Sequence, residues 1–385
     1  MRLGALWVSR ATMRHTPHDP RPEREPQFAL PLATRPARPP TAGLPLLDER
    51  LRGTRFVALE PRSVLNPPEQ TGVDFWSLNP YVGCEFGCSY CYARYAHRYV
   101  VERAHDQGKL SDAEFRDFRG AHGWEAFERR IFVKQRVLGV LETDLRRYFR
   151  RVAAAGTAGG AGAAATPIVI GTATDPYQPA ERRFRLTRQI LERLARLEGL
   201  NIGIITKSPL VARDRDVLRR LQERSDLAVH VSLSALDPRL IRRVEARSPM
   251  PRVRLRALAQ LVAAGINAGL IVAPVLPGIS DDLPQLEALF RAAREAGARF
   301  VHAGPLRLYP AVRDRFLPVV DAQFPELAER YRRAYARSSG APRAYAAALQ
   351  RRIQRLQRQF GFPVNEGMRD RYAAERRAPQ GRLGL

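Results

Sequence analysis

The sequence predicts an α/β chain whose centre is a partial (βα)6 parallel barrel, with an N-terminal arm and a C-terminal helical extension on either side. Five apolar runs, PIVIGT, NIGIIT, LAVHVSLS, NAGLIVAP and ARFVHAGP, are separated by helix-like segments at about 181–198, 213–224, 237–264 and 281–296. Near-continuous apolar strands alternating with helices indicate a parallel sheet buried on both faces. A sixth run, with Val73, Phe75, Trp76 and Leu78, stands ahead of them and leads directly into the chain's three cysteines. Eight such units would close a barrel. Six imply an open one, with room for a large substrate at its side.

Taken in order, residues 1–50 alternate Pro, Arg and small residues without helical or strand periodicity, and are expected to form a disordered basic arm. The core is expected over 51–310. After the cysteines, YARYAHRYVVERAHDQG and SDAEFRDFRGAHGWEAFERR predict helices, the second opening on Ser111 with Glu114 in capping-box register. IFVK predicts a short accessory strand, and VLGVLETDLRRYFRRVAAA a long amphipathic helix. The Gly/Ala stretch 156–167 predicts a flexible loop. Residues 311–385 predict a basic helical extension, with apolar residues on one face and arginines on the other.

Cys84, Cys88 and Cys91 lie in NPYVGCEFGCSYCY, spaced C-x3-C-x2-C, and the chain holds no other cysteine. Three thiols cannot all pair as disulfides, and soft thiolates on one short loop suit a single metal centre, zinc or iron–sulfur. Gly83 and Gly87 let the chain wrap closely around such a centre. Zinc needs a fourth ligand, which His97, or His105 in its place, can supply. A cubane held by three thiolates leaves one iron open.

The absence of an eighteen-residue apolar run excludes a transmembrane helix, and the N-terminal apolar patch LGALWV is too short for a secretory signal, so a cytoplasmic protein is expected. Sixty-four basic residues against 39 acidic ones leave a net charge of +25, which makes a nucleic acid a natural partner. A non-enzymatic nucleic-acid-binding protein with a structural Cys3His zinc site is therefore the alternative to a metalloenzyme.

In parallel α/β folds, ligands bind at the carboxyl ends of the strands. GTATDPYQPAE places Thr174 and Asp175 at one such end, able to bind an ammonium group or to form an Asx-type turn ahead of a helix. Lys207 ends the next strand and can meet a carboxylate. Ser232 and Ser234 follow, and Ala273 opens an apolar turn suited to an adenine ring.

NPYVGCEFGCSYCYAR, GTATDPYQPAE, ITKS and VSLS together resemble the radical S-adenosylmethionine superfamily, in the subgroup related to spore photoproduct lyase, over about residues 55–310. The resemblance implies a [4Fe-4S] cluster on Cys84, Cys88 and Cys91, with S-adenosylmethionine chelating the open iron through its amino and carboxylate groups. It also implies that Tyr92 lies near the adenine, that Thr174, Asp175, Lys207 and Ser232 contact the methionine and ribose, and that Ala273 offers backbone contacts. An electron donor such as flavodoxin or ferredoxin is implied as a partner. The sequence departs from the lyase at Ala173, where the lyase carries a cysteine that donates a hydrogen atom. No catalytic residue is assigned.

Overall fold

The apolar runs form the six parallel strands of one sheet: β1 (Trp76–Leu78), β2 (Ile168–Ile170), β3 (Asn201–Thr206), β4 (Asp226–Ser232), β5 (Ala268–Val275) and β6 (Val301–Pro305). The computed structural model describes residues 46–49, 53–71, 73–120, 125–157 and 166–364. The six strands neighbour one another in chain order, and β6 does not pair with β1, so the barrel is open at its side. A short antiparallel strand, Leu65–Asn66, pairs with the outer edge of β1. At two residues it is too short to show a periodicity in the sequence.

Register aligns the carboxyl ends of the strands. Leu78 pairs with Ile170, Ile170 with Ile204, Thr206 with Val231, and Ser232 with Ile271. Side chains of Val169, Ile202, Ile204, Val229, Val231 and Leu270 are fully buried, as expected when both faces of a sheet are covered.

IFVK is accessory, as its sequence predicts. Arg130–Lys134 belongs to a second sheet ordered Leu46–Glu49, Arg55–Leu59, Arg130–Lys134, Tyr81–Val82. The chain leaves β1, crosses to this sheet at Tyr81–Val82, and then enters the cysteine loop. The loop is thus anchored by two sheets.

Several predicted helices are interrupted. The stretch 181–198 divides at Arg185, whose φ is 52°, into Glu181–Phe184 and Leu186–Leu194. The stretch 237–264 divides into Pro238–Val244 and Pro251–Ala263, because proline cannot continue a helix from the preceding turn. Ser111 and Glu114 form the predicted capping box of helix Asp112–Arg119. The expected arm lies outside the described residues up to 45, as does most of the Gly/Ala loop, at 158–165.

The helices that follow β6 belong to the core. Leu349, Ile353 and Leu356 of helix Arg343–Gln359 are buried in the main hydrophobic cluster, where each contributes about 1.5–3 kcal/mol of burial. Gln357 Nε2 donates to Val301 O at 2.9 Å, tying this helix to β6. Among the described residues no helix is long and apolar enough to cross a membrane.

Gly171, just past β2, has φ +96°, and an added Cβ would stand 2.4 Å from Ile205 O and 2.7 Å from Pro176 Cδ. Gly171→Ala is therefore expected to cost about 2–4 kcal/mol, combining positive-φ strain with overlap against backbone. Urea denaturation checks this; an unchanged midpoint would contradict it.

Candidate metal and cofactor site

The cysteine loop occupies the carboxyl edge of the sheet immediately after β1. Its two glycines have positive φ, 92° at Gly83 and 64° at Gly87. Neither position has room for a side chain: a Cβ at Gly83 would stand 2.9 Å from Phe127 O, and one at Gly87 2.9 Å from Glu128 Oε2. Close backbone approach, which glycine permits, is what brings the loop against its supports.

Those supports come from three directions. From the β2 end, Thr174 Oγ1 and Gln178 Nε2 donate to Gly83 O at 2.6 and 3.0 Å, and Glu85 N donates to Gln178 Oε1 at 2.9 Å. On the accessory-sheet side, Cys84 N donates to Phe127 O at 2.9 Å, while the buried Arg94 guanidinium donates to Cys88 O at 3.1 Å and pairs with Glu128. The break between helices Pro238–Val244 and Pro251–Ala263 supplies the third. There Ser89 N donates to Val244 O at 2.9 Å, Cys88 forms a β-bridge with Glu245, and Arg247 Nε donates to Glu85 O at 2.6 Å.

Beneath the loop lies a buried polar network centred on Glu245, which is fully buried. Its carboxylate accepts from Tyr90 OH, from Ser234 Oγ at 3.2 Å, from Ser248 Oγ at 2.6 Å, and from the Arg254 guanidinium, itself fully buried. Arg254 also donates to Ser232 O at 2.9 Å. Tyr90 and Ser234 appear as polar residues in the loop and at the β4 end, but nothing local in the sequence pairs them with Glu245 and Arg254.

Cys84 and Cys88 are buried and Cys91 is half-buried. Burial is the main cause that pushes all three thiols up from their ordinary range, and at Cys84 the charges of Asp175, Cys88 and Cys91 add to it. The three thiols therefore lie near one another on one buried loop. Among the described residues no group of three His, Cys, Asp or Glu side chains is already arranged around one metal position. A multi-iron cluster binds each thiolate at a different iron. This donor set fits an iron–sulfur cluster.

The proposed zinc ligands lie elsewhere. His97 is fully buried with Nε2 2.9 Å from Arg130 O and its ring against Phe118, Phe127 and Phe132, and burial lowers its pKa to about 4. His105 is 2.8 Å from Asp112 and stacks on Phe115. The Cys3His expectation is thus corrected: six residues on from the last cysteine, His97 packs into the phenylalanine cluster with Nε2 on Arg130 O.

The strand-end residues are distributed as follows. Asp175 Oδ1 accepts from Tyr177 N at 2.9 Å and Thr206 Oγ1 at 2.7 Å, and Oδ2 accepts from Lys207 N at 2.7 Å, so it forms the Asx turn and also ties β2 to β3. Lys207 lies with Nζ 5.5 Å from the Tyr90 ring centroid, within the field of Cys88 and Glu245. Ser232 is buried at the β4 end. Ala273, half-buried, precedes a cis bond to Pro274. Tyr92 is 43% exposed and stacks on Tyr95 with centroids 6.4 Å apart. Ala173 N donates to Asn79 Oδ1 at 2.8 Å.

Comparison with known proteins agrees with this layout. Residues 151–290 match the family model described as the Radical SAM superfamily. The uncharacterized protein Rv2578c of Mycobacterium tuberculosis is 33% identical over 307 residues, covering 79% of this chain and 80% of that protein. The uncharacterized protein MJ0683 of Methanocaldococcus jannaschii is 24% identical over 226 residues, 59% of this chain and 70% of its own length. Among solved structures, a spore photoproduct lyase double mutant with bound AdoMet and dinucleoside spore photoproduct superposes with a TM-score of 0.56 at 15% identity, over 80% of each chain. That likeness is one of fold. With the cysteine loop and the open six-strand sheet, the match over residues 151–290 identifies a radical SAM domain in this chain.

Proposed function

We propose that this radical SAM enzyme holds a [4Fe-4S] cluster on Cys84, Cys88 and Cys91 and cleaves S-adenosylmethionine reductively, giving methionine and a 5′-deoxyadenosyl radical that takes a hydrogen atom from the substrate. The observation that carries this reading is the loop itself: the chain's three cysteines on one buried loop at the carboxyl edge of the sheet, close enough that Cys84 lies in the field of Cys88 and Cys91, in a chain with a radical SAM match. When bound, the cluster and S-adenosylmethionine supply the low-potential electron and the radical.

The chain's own residues bind and orient. Lys207, in the field of Cys88 and over the Tyr90 ring, is the residue this reading assigns to the carboxylate of the methionine moiety. Asp175 fixes the backbone of Lys207 and the hydroxyl of Thr206, and Thr174 fixes the loop through Gly83, so both act by holding the cofactor pocket in shape. Tyr92 supplies an aromatic surface for the adenine, Ser232 a polar contact for the ribose, and Ala273 backbone contacts. Ala173 and the lack of a cysteine outside the loop leave no thiol to return a hydrogen atom to a product radical.

Metal analysis of anaerobically isolated protein tests the reading. Brown protein with about 4 iron and 4 sulfide per chain is expected; colourless protein with one zinc would overturn it.

For the substrate class we take a nucleic acid, supported by the net charge of +25, with a one-electron donor such as flavodoxin or ferredoxin as the redox partner. Affinity for single-stranded DNA or RNA is expected to fall on the order of a hundredfold between 50 and 200 mM salt, for about four phosphate contacts. A flat salt response would point to a protein or small-molecule substrate.

A further inference from the structure

We propose that Arg247 is a positioning residue that holds the metal-binding loop in its ligand-ready shape before any metal arrives. The inference rests on the proposed role of the three cysteines as metal ligands, and not on which metal they take.

The segment between Cys84 and Cys88 sets the separation of the first two thiols, and Arg247 grips its middle twice. Its backbone N–H donates to Phe86 O at 3.0 Å, and its guanidinium Nε donates to Glu85 O at 2.6 Å. The guanidinium is itself anchored, with Nη2 3.1 Å from Glu128 Oε2 and 3.3 Å from Glu128 O. Glu128 in turn pairs with Arg94, which donates to Cys88 O. One chain of charged hydrogen bonds therefore runs from the Glu85 carbonyl, through Arg247, Glu128 and Arg94, to the Cys88 carbonyl, closing a ring around the first pair of thiols.

Gly87 sits inside this ring, where a Cβ would stand 3.0 Å from Arg247 Nη2. A loop whose backbone groups are satisfied by the rest of the protein does not depend on its cofactor for conformation. Arg247 reaches the loop from the break between two helices and keeps its side chain 34% exposed, so it can be replaced without opening the core.

The test uses the full chain, metal-free and reduced, with iodoacetamide as the probe and mass spectrometry reading each cysteine. In the parent, Cys84 and Cys88 should react slowly. In Arg247→Ala both should react about tenfold faster, as expected when a charged hydrogen bond restraining local opening is lost, while the thermal transition persists. Arg247→Lys, which retains a charged donor, should fall between the two. Reconstituted Arg247→Ala should also bind less iron and show an altered electron paramagnetic resonance signal. Parent alkylation rates in a folded Arg247→Ala would overturn the proposal; should that variant not fold, Arg247→Gln is read in the same way. A zinc-loaded parent would sink the function proposed above and leave this alkylation test intact.

Discussion

Replacement of any one of Cys84, Cys88 or Cys91 by alanine is expected to abolish cluster retention and reduce S-adenosylmethionine cleavage by at least about a hundredfold, without unfolding the protein. The chain has three cysteines and hence no spare thiolate to take over a vacated iron. Two thiolates leave a second iron without a protein ligand and free the loop's remaining sulfurs to exchange. The fold should survive because the loop is held by hydrogen bonds to Phe127, Gln178, Val244 and Arg247 that involve no sulfur. A single buried Cys→Ala change removes little apolar surface, at a cost of about 1 kcal/mol. Iron and sulfide content, together with the thermal midpoint of the metal-free variants, check the two halves separately. A variant that kept the parent's iron and absorbance would remove that cysteine from the ligand set.

The second large effect is on stability. Glu245→Ala is expected to destabilise the protein by about 3–5 kcal/mol, because it leaves the fully buried Arg254 guanidinium without its counter-charge. Tyr90, Ser234 and Ser248 lose their acceptor at the same time. Burial pushes the Glu245 carboxyl up, but Arg254 and Lys207 outweigh it and hold its pKa down at about 2.

The sign of the pH dependence follows. A carboxyl lowered from about 4.3 in the unfolded chain stabilises the fold above that value, and its contribution is lost as pH falls toward 2. The difference between parent and Glu245→Ala should therefore be full at pH 7 and narrow progressively below pH 4.3. Guanidinium denaturation at several pH values measures it. A constant difference across that window would mean that Glu245 acts through packing and not through charge.

The parts of the architecture with a periodic signal were legible. Each long apolar run became a parallel strand, and the order along the chain became the order in the sheet, because sequential strand–helix units pack as neighbours. Gly83 and Gly87 were legible too, since their positive φ answers a local steric demand.

What the sequence concealed was long-range. The stretch 237–264 reads as one helix by its apolar spacing, yet Pro249 and Pro251 break it, and the broken segment becomes the clamp of the cysteine loop. The prolines marked a break, but nothing in them says that Arg247 meets Glu85, 162 residues away. Glu245 and Arg254 are likewise unremarkable charges until the fold buries them together. His97 misled in the opposite sense: proximity in sequence suggested a ligand, and the helix phase carried it into an aromatic cluster. Asp175 forms the anticipated Asx turn, and its carboxylate also holds the backbone of Lys207, a long-range tie the local pattern does not reveal.

The measurement that bears most directly on the central claim is product analysis of the anaerobically reconstituted protein with dithionite and S-adenosylmethionine. Formation of 5′-deoxyadenosine and methionine in equal amounts, dependent on reductant and absent from the Cys88→Ala protein, is the predicted result. A fully loaded, reduced cluster that binds S-adenosylmethionine and yields no 5′-deoxyadenosine would contradict the account.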